Sequence, residues 1–324
     1  MSSTRERIIA LLAANNESYV SGQAISDQLK ISRTAVWKQM KVLKQDGYLI
    51  EAIPNKGYRI ISTPNKLSEN TLQWGLQTKW LGKSINFYDE IDSTQTKANH
   101  LAQQGCKHGT VVIANSQQAG RGRMNRAWHS NNEDGIWMSM VLRPTILPAH
   151  APQFTLLTGT VLVDILSEKT GIPIKIKWPN DLFVGDKKVA GILTEMQAEQ
   201  DQIHYLVIGI GINVNQYTKQ LPAEIRTKAT SLREATGNWF SKIELIQSIL
   251  YAFETAYERH QEIGFSEIKR NWEKRGYKMN QNVTYHSGNI QSEGIIKGIN
   301  ENGALLIESN DNEIITLYSA EIDW

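Results

Sequence analysis

Apolar residues recur at helical spacing in the first part of the chain and at strand spacing in much of the rest. Between Arg5 and Ala14, the residues Ile8, Ile9, Leu11 and Leu12 form one apolar stripe and predict a helix. Ser21 is placed to cap a short helix in which Ile25 and Leu29 fall one turn apart. After a break at Lys30-Ile31, Ser32 is placed to cap another helix, with Val36, Met40 and Leu43 on one face. Tyr48–Ile53 and Tyr58–Ile61 then read as strands around the turn Pro54-Asn55-Lys56-Gly57. Three helices followed by a hairpin are the order of a winged helix-turn-helix.

From the linker at Pro64-Asn65-Lys66 the pattern changes. Strand-like segments (Asn86–Ile91, Thr110–Asn115, Gly135–Leu142, Ile174–Trp178, Lys188–Met196, His204–Ile212) alternate with helix-like ones at Thr94–Gln104, Gln153–Thr170 and Lys242–Ile263. This predicts a mixed sheet with helices on one side. From Lys278 the chain turns to short strands: Val283-Thr284-Tyr285, Gly294-Ile295-Ile296, Ala304–Ile307 and Ile314–Leu317. Their turns (His286-Ser287-Gly288-Asn289, Asn300-Glu301-Asn302-Gly303, Asn310-Asp311-Asn312) suit a small SH3-like β-barrel. The expected domains are 1–63, 64–277 and 278–324, in an α+β protein.

Charge changes the picture for the first domain. The formal net charge is only +2 over 324 residues, yet residues 1–62 hold nine Lys/Arg against five Asp/Glu. A basic head on a near-neutral body points to a polyanion as partner of the head alone. On its second capped helix the apolar face leaves Arg33, Thr34, Trp37, Lys38 and Lys41 outward. Ser32 and Thr34 suit phosphate oxygens, Arg33 and Lys38 suit phosphates or guanine edges, and Lys56 and Arg59 sit on the wing. Ser21 and Gln23, at the start of the preceding helix, complete the expected DNA-contacting set. A helix-turn-helix kept as a protein-protein module is the duller alternative, and an exposed Trp37 suits either.

The composition excludes other classes. No apolar run reaches membrane-spanning length, and residues 1–6 lack a signal peptide's apolar core, so no membrane partner and a cytoplasmic location are expected. The single cysteine, Cys106, excludes an intrachain disulfide framework and a cysteine-rich metal site.

Three segments carry the chemistry. Gly120-Arg121-Gly122-Arg123-Met124-Asn125-Arg126-Ala127-Trp128 places three guanidinium groups on a glycine-bearing loop between two strands, which suits a small anionic ligand. It is not a dinucleotide fingerprint, because no helix follows and Asn125 stands where the third glycine would be. Lys177-Trp178-Pro179-Asn180-Asp181 is turn chemistry leading through a hairpin at Gly185-Asp186 to Lys188. Gly209-Ile210-Gly211-Ile212-Asn213 is an apolar strand broken by glycines and ending on an amide. Taken singly, each lysine reads as a solvated strand end and each tryptophan as core.

Together with Ile91-Asp92-Ser93-Thr94, these segments resemble the biotin protein ligase family, and the resemblance covers essentially the whole chain. It implies the α+β ligase fold, an SH3-like tail, and activation of a carboxylic acid by ATP. The carboxylate attacks the α-phosphate, and a lysine of an acceptor protein then takes the acyl group. The first of these steps needs no general base, since a carboxylate is already ionised; preorganised cations matter more there. By the resemblance, Ser93, Thr94, Gln95 and Gln117 lie on the biotin ring side. Arg121, Gly122 and Arg123 belong to the loop that closes over biotin and its adenylate, with Gly120 and Arg126 beside them on the adenylate. Lys188 touches carboxylate and phosphate oxygens and, with Arg123, is the catalytic candidate. Asn180, Asp181 and Asn213 match nucleotide- and Mg2+-side positions, and Trp128 an aromatic near the adenine. Mg2+ is expected to be held mainly by ATP phosphates and water, with Asp181 as the candidate protein oxygen.

Two departures from the family pattern stand out. Asn125 replaces a frequent glycine, and is the non-glycine residue that best tolerates left-handed backbone angles. The C-terminal Ala320-Glu321-Ile322-Asp323-Trp324 lacks an arginine that contacts ATP in some relatives.

The resemblance further implies a biotin-responsive repressor whose corepressor is biotinyl-5'-AMP. Acceptors would be biotin carboxyl carrier domains of acetyl-CoA or pyruvate carboxylase. Operator DNA would be bound by a two-fold homodimer, because a helix-turn-helix monomer reads one half-site. The alternatives are a lipoate or octanoate ligase, and a biotin-sensing repressor without turnover.

Overall fold

The computed structural model describes residues 4–15, 18–62, 64–287, 290–318 and 320–323. The chain forms two compact units, Met1–Gln77 and Thr78–Trp324. The expected turn residues Gly288 and Asn289, and the terminal Trp324, lie outside the described residues.

The first unit contains α1 (Thr4–Ala13), α2 (Gly22–Leu29), α3 (Arg33–Gln45), the strands β1 (Leu49–Ile53) and β2 (Gly57–Ser62), and α4 (Glu69–Gln73). Both expected caps form: Ser21 Oγ accepts the Ala24 N–H and Ser32 Oγ the Ala35 N–H, at 3.0 and 3.1 Å. Each cap satisfies an orphan donor of the first turn. Ile8, Ile9, Leu12, Ile25, Val36, Met40, Leu43, Ile50 and Ile60 close one core, so the apolar stripes read from the sequence meet each other. Helix α4 was not expected; a box of hydrogen bonds between Ser68 and Thr71 starts it, and Leu72 buries it.

The second unit is built on a seven-stranded sheet of order β3-β4-β5-β9-β8-β7-β6. Its strands are β3 (Ser84–Ile91), β4 (Thr110–Gln117), β5 (Ile136–Leu142), β6 (Lys175–Lys177), β7 (Asp181–Val184), β8 (Lys187–Ala198) and β9 (Ile203–Ile212). Only β3 and β4 pair in parallel, joined across by α5 (Thr94–Gln103). The longer helices are α6 (Pro152–Thr170) and α8 (Lys242–Ile263), with α7 (Leu232–Thr236) and α9 (Ser266–Arg275) beside them. The expectation of helices on one side is corrected. Gly159 of α6 packs on Ile176 and Ile192, whereas Ala98 and Ala102 of α5 pack on Val112, Val141 and Val207. Leu193, beside Ile192, faces Gly209 across the β8–β9 ladder, and Gly209 shares a face with Val207. Helix α5 therefore covers half of the opposite face, and the other half stays open as a cleft.

The tail is a five-stranded antiparallel sheet of order β13-β12-β11-β10-β14, from β10 (Asn282–Ser287), β11 (Ile290–Ile299), β12 (Leu305–Ser309), β13 (Ile314–Leu317) and β14 (Glu321–Asp323). The fifth strand, β14, was not expected from the sequence.

Candidate active site

The open half of the sheet face carries a cavity of about 610 Å3. Its floor is set by glycines. A Cβ on Gly209 would lie 2.5 Å from Gln95 Oε1, and one on Gly211 would lie 2.5 Å from Trp128 Nε1. The glycine-broken strand therefore exists to admit Gln95 at one end of the cavity and the Trp128 indole at the other. Ser93, Thr94, Gln95, Gln117, Arg121, Gly122, Arg123, Arg126, Trp128, Asn180, Asp181, Lys188 and Asn213 all line this one cavity, as expected of a common site. Gly120 does not. A Cβ there would lie 2.2 Å from Ser130 Oγ, so Gly120 lets the loop pass Ser130 rather than facing a ligand.

One end of the cavity is a buried polar array. Ser93 caps α5, accepting the Thr96 N–H. The Thr94 N–H and its hydroxyl both donate to Gln117 Oε1, at 2.8 and 3.0 Å. Gln117 Nε2 donates to Ser130 Oγ, which donates to the Trp128 carbonyl. Ser139 Oγ stands 3.0 Å from Thr94 Oγ1 and donates to Gln95 Oε1. Gln95 Nε2 donates to Glu195 and the Val207 carbonyl. Both ends of the Gln95 amide thus have partners within the protein, and the side chain lines this end of the cavity.

The other end is cationic. Lys188 Nζ lies 2.7 Å from Asp181 Oδ1, an ionic contact without an aligned hydrogen bond, and 5.0 Å from the centroid of the Trp128 ring. Arg123 Nη1 donates to Asn180 Oδ1, and Asn180 Nδ2 donates to the Ile192 carbonyl. Burial pulls the Arg123 guanidinium below its ordinary value, against Asp181, which raises it; the neighbouring Arg126 lowers it further. Such a group gains from a bound anion, which restores the neutralisation that water supplied. Asn213 Nδ2 donates to the Thr230 carbonyl. The Trp128 indole N–H is buried here with no hydrogen-bond partner, whereas Arg121 leans to the polar array, its Nη2 donating to Thr96 Oγ1 and standing 3.6 Å from Glu195 Oε1. Unpaired buried donors cost about 1–3 kcal/mol each, so this end favours acceptor oxygens.

The basic loop is folded on itself. Gly122 N–H donates to the Arg126 carbonyl and Trp128 N–H to the Gly120 carbonyl, both at 2.8 Å. Met124 and Asn125 carry φ of 54° and 56°, so Asn125 takes the left-handed conformation its residue type tolerates. The tail sheet also reaches the cavity, through His286, Ala320 and Ile322, although it lacks the arginine. Trp178 Nε1 donates to the Gly303 carbonyl and fixes the tail's 300–303 turn to the Lys177–Asp181 turn, whose Trp178–Pro179 bond is cis.

Sequence reasoning missed Ser139, Glu195 and Ser130. A lone hydroxyl inside the apolar strand Ile136–Leu142 was a readable signal for Ser139. Nothing local marks Glu195. Among the described residues no cluster of three or more His, Cys, Asp or Glu stands ready for a metal.

In the first unit, Arg33, Thr34, Lys38 and Lys41 are exposed on α3, Trp37 is 56% exposed, and Lys41 Nζ lies 5.9 Å from its ring centroid. Lys56 is exposed at the wing tip. Two expected contacts have internal partners. Arg59 pairs with Glu51 at 2.9 Å and lies over the Tyr19 ring, and Gln23 donates to Asp27. Ser21 spends its oxygen on the α2 cap.

The sheet, the basic loop and the paired ends of the cleft define the biotin and lipoate ligase class of protein. Residues 87–213 match the biotin/lipoate A/B protein ligase family, residues 4–59 a helix-turn-helix domain, and residues 278–323 the biotin protein ligase C-terminal domain. The chain is 43% identical, over 99% of both chains, to the bifunctional ligase/repressor BirA of Bacillus subtilis. It is 30% identical to that of Escherichia coli, covering 94% of this chain and 92% of the relative. The biotin protein ligase of Aquifex aeolicus, solved with biotin and ATP, superposes with a TM-score of 0.65 at 32% identity, over 74% of this chain and 98% of that one. The chain belongs to the biotin protein ligase family.

Proposed function

We propose that the chain is an ATP-dependent biotin–protein ligase that also acts as a biotin-responsive transcriptional repressor. The polarity of the cleft carries this reading: the hydrogen-bonded array of Thr94, Gln117 and Ser139 at one end, and Lys188, Arg123 and the unpaired Trp128 indole donor at the other. Biotin matches it end for end, with N–H donors on its ring and a carboxylate on its tail.

The chemistry follows from the residues. Carboxylate and triphosphate repel, and Arg121, Arg123, Arg126 and Lys188 line the space where they meet. The carboxylate oxygen attacks the α-phosphorus, pyrophosphate leaves, and the mixed anhydride biotinyl-5'-AMP remains. An acceptor lysine amine then attacks the acyl carbon; AMP leaves and the nitrogen loses a proton. Cations held in place before the reaction stabilise the charge that builds at the α-phosphate in the first step, which needs no general base because the carboxylate is already ionised; in the second step the acceptor amine gives up its proton to solvent. Lys188 and Arg123 are assigned as the catalytic residues, and Trp128, Asn180, Asp181 and Asn213 as the nucleotide side. Mg2+ would be held mainly by the nucleotide's phosphates and water, with the Asp181 carboxylate, which lines the cavity beside Lys188, as the protein oxygen it would use.

We assign operator contact to α3 and the wing tip in residues 1–63, ligation to 64–277 with 278–324 closing one wall, and DNA binding to a homodimer. Acceptors are biotin carboxyl carrier domains of acetyl-CoA or pyruvate carboxylase, in the cytoplasm. Among the described residues no helix is long and apolar enough to cross a membrane. The test is pyrophosphate release with MgATP and biotin, lipoate or no acid, followed by the intact mass of an added carrier domain. Biotin-dependent release with a mass gain on the carrier supports the ligase. Release with lipoate alone, or tight biotin binding without release, overturns it.

A further inference from the structure

The hairpin Leu49–Ser62 holds a single acid, Glu51, and two bases, Lys56 and Arg59. Glu51 stands opposite Arg59 in the β1–β2 register, on the face that Ile50 and Ile60 do not turn to the core. Glu51 Oε2 accepts twice, from Arg59 Nη2 at 2.9 Å and from the Tyr19 hydroxyl at 2.5 Å. The Arg59 guanidinium also lies over the Tyr19 ring, 4.8 Å from its centroid. Its Nε is buried with no hydrogen-bond partner, so the arginine is only partly satisfied. One carboxylate oxygen holds it, at the place a phosphate oxygen would take.

The backbone beneath this cluster is fixed. Val20 and Tyr58 exchange both backbone hydrogen bonds, at 3.0 and 2.9 Å, and a Cβ on Gly57 would lie 2.2 Å from the Val20 carbonyl oxygen. Tyr19 precedes Ser21, the cap of α2, by two residues, so the cluster lies where the wing meets the start of the helix-turn-helix. The side chains themselves stay partly open, Arg59 at 32% and Glu51 at 41% exposure. A half-open ion pair adds little to stability. For a surface that binds a duplex, however, an arginine occupied by an acid is a phosphate contact withheld. The Tyr19 hydroxyl, and then Arg59, hold the Glu51 carboxyl below its ordinary value, so the competing anion stays charged.

We infer that Glu51 holds Arg59 back from DNA: its carboxylate occupies the guanidinium as a phosphate would, and the wing grips a duplex here only by exchanging one anion for the other. Arg59 is the contact. Glu51 is a positioning residue that sets its strength, and Tyr19 keeps Glu51 in place. The ligand is the sugar–phosphate backbone, whatever the base sequence. Removing the carboxylate removes both the exchange and the repulsion of an incoming phosphate, so loss of this native ion pair tightens DNA binding.

This inference rests on the repressor reading, and the test separates the two. The full chain, with biotin and MgATP, is titrated by fluorescence anisotropy at several salt concentrations against two labelled duplexes. One has mixed sequence; the other is selected by the wild type from a random pool. Glu51→Gln is expected to bind both about fivefold more tightly, with the slope of log affinity against log salt steeper by about one. In an Arg59→Ala background the same change at Glu51 is expected to alter affinity by less than about twofold. Glu51→Thr, uncharged and strand-forming, gives the same reading if Glu51→Gln does not fold. A merely structural clamp has the opposite sign, weaker binding together with a lower melting temperature. Unchanged or weaker binding by a folded variant, or a gain that persists without Arg59, overturns the inference. A wild type that selects no duplex and binds none overturns the repressor reading, and the inference with it.

Discussion

Lys188 and Asp181 meet diagonally on the β7–β8 hairpin, Lys188 opposite Phe183 and Asp181 opposite Gly191, with Nζ 2.7 Å from Oδ1 and each side chain partly open to the cavity. The Gly185-Asp186 turn and the bulge between Leu182 and Phe183 set this register, and the Lys188 Nζ also lies 5.0 Å from the centroid of the Trp128 ring. A lysine held by one carboxylate and one aromatic face is preorganised for an anion and costs little to redirect. Lys188→Ala is expected to lower kcat/KM for pyrophosphate release by about a hundredfold to a thousandfold. Operator binding by the first unit should survive in a gel-shift assay, and the melting temperature should stay within a few degrees. Retained turnover would remove Lys188 from the catalytic set.

The two floor glycines should separate the substrates. Gly209→Ala drives a Cβ into Gln95 Oε1, and Gly211→Ala drives one into the Trp128 indole. The first is expected to raise KM for biotin by about tenfold or more with a smaller effect on ATP, and the second to do the reverse. A 1 Å misplacement is enough for losses of that size. Equal effects of both variants on both substrates would show that the cavity has no separate ends.

Exposed cations on α3 should act through phosphates. Arg33→Ala and Lys38→Ala are each expected to reduce the slope of log affinity against log salt by about one, leaving ligation untouched. Arg59→Ala should behave differently, because its guanidinium is engaged by Glu51 and Tyr19. It is expected to lower the melting temperature as well as DNA affinity. Fluorescence anisotropy on an operator fragment at several salt concentrations, with melting curves, distinguishes the two classes.

Two histidines should make stability depend on pH. Burial lowers the values of His108 and His260 from the ordinary 6.5, with Arg143 and His150 respectively adding to the effect. His108 Nδ1 accepts the Arg143 N–H, and His260 Nε2 lies 3.0 Å from Gln153 Oε1. A base whose folded value is depressed binds fewer protons folded than unfolded, so stability is full above about pH 6.5 and falls as the pH drops through and below it. The melting temperature of the second unit should therefore decline between pH 7.5 and 5.5. His260→Gln, which cannot be protonated, should flatten that decline; an equally steep decline in the variant would exclude His260 as a cause.

Much of this was legible in the sequence because it is local. The caps Ser21 and Ser32, the α3 stripe Val36-Met40-Leu43, the hairpin at Gly185-Asp186 and the strand from Lys188 onward follow from spacing and turn chemistry within a few residues. The order of the basic loop, the Lys177–Asp181 turn and the Gly209–Asn213 strand was enough to place the chain in its family. Helix α9 and strand β14 were not legible: the first is short and highly charged, and the second spans three residues.

What the sequence alone determined was therefore the identity of the reacting groups and the local geometry that carries them. Only the tertiary structure decided which polar groups share protons. Thr94, Ser139 and Glu195 are far apart in the chain and meet because β5 and β8 both pair with β9, in a register that sets Ser139 opposite Gly209 and Leu193 opposite the same glycine. Alternation along a strand fixes which face a side chain takes, but neither strand order nor register. Those follow from burying the whole apolar sheet at once, and with them come the buried polar array, the open half of the face and the cavity itself.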